Sequence, residues 1–131
     1  MDAIKRRAKI TASILATAQS LIGMPYVWGG ESPDGGFDCS GLVFYVYTKH
    51  GIPVPRVSHQ QYQMGVPVPY NELQPGDLVF FDIEGTGEIF HVGIYTGNNL
   101  FISATSTYGV VEDGFTDRYW AQLYIGARRV Y

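Results

Sequence analysis

Apolar residues are spaced one way early in this chain and another way later. In residues 1–24, Ile4, Ala8, Leu15, Ala18 and Ile22 recur at intervals of three, four or seven. That spacing places side chains on one face of an α-helix. Gly23 and Pro25 then supply a stop. The same stretch also has the outline of a secretory leader: basic residues, a weakly apolar run, then Ala-Thr-Ala. The apolar run is short and is broken by Thr11 and Ser13. We therefore expect a first helix with an N-terminal extension over residues 1–24, with a cleaved leader as the competing reading.

Downstream, "PYVWGG" and "ESPDGGFD" form a glycine-rich connection. "SGLVFYVYTKH" follows. Its aromatic and β-branched content suits a strand; its eleven-residue length and the stop at Gly51 and Pro53 suit a helix better. Periodicity alone leaves that choice open. "SHQQYQMG" reads as a short helix with Ser58 as N-cap. Strand-like runs come next: "DLVFFDI", "FHVGIY", "LFISAT", "GVV" and "YIGARRVY". Gly97-Asn98-Asn99 makes a turn between the second and third. Helices first and strands afterwards predict an α+β fold, with N-terminal helices packed on a central antiparallel sheet. No repeat or linker divides it, so residues 1–131 are expected to form a single domain.

Composition narrows the function. With 131 residues, 46% of them hydrophobic, the chain is long enough to bury its own core. A net charge of −3 gives no basis for nucleic-acid binding or for attraction to an anionic membrane. No apolar run has the length of a membrane helix. The single cysteine, Cys39, cannot form an internal disulfide. No Cys-x-x-Cys or His-Glu-x-x-His spacing suggests a metal, and no cofactor is expected.

Cys39 lies in "PDGGFDCSG". If the following residues are helical, the thiol sits at the positive end of the helix dipole, where a thiolate is stabilised. The chain offers three histidines as base. His50 is at the far end of the same stretch. His59 lies in a polar, turn-rich segment and reads as a surface residue. His91 sits between apolar neighbours inside a strand, where a polar side chain needs a partner or a task. Cys39 with His91 is the pair that could give nucleophile and base. Composition alone leaves an inert buried thiol as the competing reading.

Six segments alter that balance: "PYVWGG" (25–30), "FDCSGLV" (37–43), "PRVSHQQ" (55–61), "LQPGDLVFF" (73–81), "HVGIYTGNNLFISA" (91–104) and "YIGARRV" (124–130). In these segments and their order the chain resembles the NlpC family of cysteine peptidases, bacterial cell-wall hydrolases with a papain-like core. The likeness spans about residues 10–131. The cysteine precedes the histidine, unlike permuted relatives that include lipid acyltransferases.

The resemblance implies that Cys39 is the nucleophile and His91 the base. It implies a third polar residue about a dozen positions later, most often histidine, to orient the imidazole. Here that position is Ser103. If Gly97–Asn99 form the hairpin loop, residues 93 and 103 are cross-strand partners and Ser103 lies diagonally from His91, within reach directly or through one water. Replacing a stronger partner by a neutral hydroxyl would cost about 1 kcal/mol, roughly fivefold in rate. Tyr26 matches a tyrosine near the nucleophile. Asp38 and Ser58 match substrate-contacting positions, with helix capping as the alternative. Arg56 could hold a substrate carboxylate or a structural ion pair. Trp28 and Trp120 read as core.

The implied activity is hydrolysis of peptidoglycan stem peptides, at the bond between γ-D-glutamate and the diamino acid. The alternatives are an N-acetylmuramoyl-L-alanine amidase or a wall-binding module weakened or silenced by Ser103. The expected protein is a monomer, extracellular or periplasmic, brought to the wall by a targeting or delivery partner.

Overall fold

The computed structural model describes residues 2–85 and 91–131. Asp2 caps the first helix, its carboxylate accepting the Lys5 N–H at 2.9 Å. This helix, α1, runs Ala3–Ser20 and buries Ile14 and Ala18. The expected apolar stripe is thus only half right. Ile4 and Ile22 are exposed, and so is Ala8. The buried face is set instead by Ile14, Ala18 and Leu21, which lean on the next helix.

Two short strands, β1 (Glu31–Ser32) and β2 (Gly36–Phe37), form a small antiparallel ribbon. The central helix α2 follows at Cys39–Lys49. The ambiguous aromatic run is therefore a helix. Leu42, Val43, Val46 and Tyr47 are buried on it, and the Tyr47 hydroxyl donates to the Gly76 carbonyl at 2.6 Å. α3 is Ser58–Gln61. Its N-cap is Val57, without a side-chain bond, so Ser58 is its first helical residue and not its cap. That one-residue difference is ordinary at helix ends.

The main sheet has the order β3-β8-β4-β5-β6-β7, and every pairing is antiparallel. Its strands are β3 (Val66–Pro67), β4 (Leu78–Phe81), β5 (His91–Gly97), β6 (Leu100–Thr105), β7 (Gly109–Gly114) and β8 (Tyr124–Arg129). The five strand-like runs all become strands; Phe90, expected to begin one, lies outside the described residues. A further helix, α4 (Arg118–Leu123), is inserted before β8. The simple order of helices then strands did not anticipate it.

At β4 both faces of the sheet are buried, so the strand reads as the unbroken apolar run Leu-Val-Phe-Phe. Leu78, Phe80, Val92, Ile94, Ile102 and Ala104 face the helices. Val79, Phe81, Tyr95, Phe101, Phe115 and Trp120 form a second, aromatic-rich cluster.

The β5–β6 hairpin turns at Asn98 and Asn99, with φ of 55° and 64°. Such left-handed pairs fit the twist of a tight hairpin. The register pairs Ile94 with Ile102 and Tyr95 with Phe101. It therefore sets Gly93 beside Ser103, where a Cβ on Gly93 would lie 3.3 Å from the serine Cβ.

Candidate active site

Asp38 determines where the thiol sits. Its extended backbone ends the β2 connection, and its carboxylate accepts the Gly41 N–H at 2.6 Å and the Gly29 N–H at 3.1 Å. That caps α2 and fixes Cys39 as its first residue. Gly41 completes the arrangement. A Cβ there would collide with the Gly30 carbonyl oxygen, so only glycine lets the 23–38 connection lie against the helix. Arg56 ties the same corner together. It bonds Asp38 at 2.9 Å, Glu31 at 3.0 Å, the Ser40 hydroxyl at 2.9 Å and the Gly30 carbonyl at 3.3 Å.

Cys39 is 9% exposed. The backbone N–H groups of Val92, Ser40 and Cys39 itself favour its thiolate, but burial dominates and pushes the thiol up to about 11. The Val92 contact joins the helix start to β5 one residue beyond His91. His91 is 4% exposed, and burial lowers its imidazole to about 4. Burial thus favours the uncharged form of each group, thiol and imidazole.

Cys39 and His91 line one cleft of about 630 Å³. Tyr26 and Trp28 form part of its wall, with Thr105, Asp113 and Trp120. Tyr26 is held beside Phe37 by an isolated bridge. Burial, then the nearby Cys39 and Asp38, keep its phenol protonated.

Ser103 stands at the expected position, but the direct bond to His91 is not made. Among the described residues, neither the buried His91 Nε2 nor the buried Ser103 hydroxyl has a hydrogen-bond partner. Gly93 between them brings no side chain, and a serine is too short to cross the diagonal.

Of the four residues expected at the substrate, only Tyr26 lines the cleft. Asp38 and Arg56 are engaged with each other and with the backbone, the structural alternative for both. Ser58 starts α3 and is not among the residues lining the cleft. Trp28 was expected in the core, yet it is 88% exposed at the cleft wall. The neighbouring Gly29, with φ of 76°, turns the chain outward there. Trp120 is in the core as expected, 7% exposed, and it also faces the cleft. Asp113, Asp117 and Thr105 were not singled out by the sequence. No local pattern marks them, because strand pairing and α4 bring them in. Among the described residues no cluster of three or more His, Cys, Asp or Glu side chains could hold a metal ion.

A cysteine opening a central helix, with a histidine on the neighbouring strand of an antiparallel sheet, defines a papain-like α+β domain. Residues 23–129 match the NlpC/P60 family, and the chain belongs to it. It is 42% identical to the murein DD-endopeptidase MepH of Escherichia coli (strain K12), over 98% of this chain and 49% of that protein. It is 41% identical to the gamma-DL-glutamyl hydrolase of Bacillus subtilis (strain 168), over 89% of this chain and 29% of that protein. It therefore spans half or less of the length of these relatives. An NlpC/P60 family protein from Bacillus cereus ATCC 10987 superimposes with a TM-score of 0.85 at 36% identity, covering 91% of this chain and 39% of that one.

Proposed function

We propose that this protein hydrolyses amide bonds in peptidoglycan stem peptides, with Cys39 as nucleophile and His91 as base. The observation that carries the reading is the shared cleft of Cys39 and His91, at the start of α2 and of β5. Because burial favours the uncharged form of each group, the proton moves with the attack. His91 takes the Cys39 proton as sulfur bonds to the substrate carbonyl carbon. Backbone N–H groups at the start of α2 face the developing oxyanion. The C–N bond breaks, and His91 returns the proton to the leaving amine. Water, deprotonated by His91, then attacks the thioester, and the acid leaves with Cys39 restored as thiol. Trp28 and Tyr26 offer aromatic surface to the substrate.

The bond we favour joins γ-D-glutamate to the diamino acid. The name of the Bacillus relative, a gamma-DL-glutamyl hydrolase, supports that chemistry. The name of the Escherichia relative favours a second reading, a DD bond between stem peptides. A wall-facing location, extracellular or periplasmic, goes with either. The test is digestion of purified peptidoglycan, with mass spectrometry of the released muropeptides. We expect a new γ-D-glutamyl carboxyl terminus, lost in Cys39→Ala and His91→Ala. Separation of cross-linked dimers into intact monomers would favour the DD bond. Binding by the wild type without any cleavage would leave a wall-binding module.

A further inference from the structure

His91 has no hydrogen bond from Ser103, yet its ring does not lack a neighbour. We propose that Trp120 is the positioning residue for His91, its indole lying against the imidazole and holding the ring plane in place of a third polar residue. The inference rests on His91 acting as the base.

The two rings are stacked, with centroids 4.9 Å apart and planes 27° apart. The indole is itself held firmly. Phe81 and Phe101 meet it edge-on at 5.0 and 5.4 Å, and Tyr119 at 5.1 Å. Asp113 on β7 lies beside the Trp120 side chain; burial and then Asp117 raise its carboxyl, and the indole N–H works against them. Asp113 pairs with Phe101 of β6, so the anchor belongs to the same sheet as His91. Asp117 caps the start of α4 by accepting the Tyr119 N–H at 2.8 Å, which fixes the short helix carrying the indole.

Stacking does two things that a hydrogen bond to Nε2 would otherwise do. It restricts rotation of the imidazole. It also places an electron-rich face against the imidazolium formed once His91 takes the Cys39 proton.

Besides His91, the titratable groups lining the same cleft are Tyr26, Cys39, Glu84, Tyr108, Asp113, Asp117 and Tyr119. None supplies the missing orienting bond, because among the described residues the His91 Nε2 has no hydrogen-bond partner.

The experiment joins proton NMR with kinetics on a stem peptide. Only three histidines are present, so assignment is simple. The His91 ring protons should lie upfield of those of His50 and His59, shifted by the indole ring current, and should move back in Trp120→Leu. In that variant kcat should fall about tenfold or more with KM little changed, the pattern of a lost transition-state contact. The acid limb of kcat/KM should also move up towards the ordinary histidine range as water reaches the ring. Trp120→Phe should restore most of kcat. Unshifted His91 protons in the wild type would overturn the proposal. So would a folded Trp120→Leu variant with kcat and acid limb unchanged. If Trp120→Leu does not fold, Asp113→Ala serves, because it removes the carboxylate beside the indole. A smaller ring-current shift with lower kcat supports the inference, and no change in either refutes it. Absence of hydrolysis by the wild type would refute the assigned activity, while the ring-current result would still decide the stacking.

Discussion

At the scale of single residues the site turns on what surrounds two buried groups. Burial moves Cys39 and His91 in opposite directions, and both movements favour the neutral forms. Ser103 is the unusual member, a fully buried hydroxyl with no partner among the described residues. An unmade buried hydrogen bond is a cost to the fold. We therefore expect Ser103→Ala to leave stability unchanged or raise it by up to about 1 kcal/mol in urea unfolding. Its kcat should fall less than about fivefold, the value of one neutral hydrogen bond. A loss of a hundredfold would mean that Ser103 engages His91 during the reaction, contrary to the arrangement seen here.

At the scale of elements, the start of α2 depends on its cap. Asp38 satisfies the Gly41 N–H and receives Arg56, whose guanidinium also reaches Glu31 and Ser40. Asp38→Ala removes a cap worth about 1 kcal/mol and leaves a partly buried Arg56 with one carboxylate fewer. The expected loss is about 2–3 kcal/mol in chemical denaturation, with Asp38→Asn intermediate. A change below about 0.5 kcal/mol would show that the dipole and packing of α2 suffice without it. The same substitution tests whether Asp38 has a second role, because a substrate contact would raise KM beyond what the stability loss explains.

At the scale of the whole molecule, the sheet is closed by charge as well as by apolar packing. Asp77, fully buried before β4, bonds Arg129 at the end of β8 at 2.9 Å and accepts the Gln74 N–H at 2.8 Å. The "PGDLVFF" segment is thus a turn delivering a structural carboxylate. One part of the pH response of global stability follows from His91. Its folded pKa is lowered from 6.5 to about 4. Its contribution is therefore complete above the unfolded value and is lost as pH falls from about 6.5 through 4. In that window the unfolded chain binds one more proton, which gives a slope of about 1.4 kcal/mol per pH unit from this group. Urea unfolding at several pH values between 4 and 7.5 should show that slope reduced in His91→Gln. Equal slopes in the two proteins would place His91 in contact with water when folded.

Much of this was open to a reading of the sequence alone. Stop signals and length marked α2, and alternation and turn residues marked the strands. Asn98 and Asn99 set the hairpin register that puts Ser103 beside Gly93. A lone cysteine before a helix, and a histidine among apolar strand residues, pointed to the same pair. These features are local, set by nearest neighbours along the chain. The face of α1 was misread because burial depends on what α1 packs against. Trp28 was placed in the core because aromaticity does not say which way a glycine turn sends the side chain. Asp113 and Trp120 reach the cleft only through the β6–β7 pairing and the insertion of α4, contacts between residues distant in sequence. Whether His91 is held by a hydroxyl or by an indole was likewise decided by packing, because the sequence gives a strand position and only the assembled sheet gives the neighbours around it.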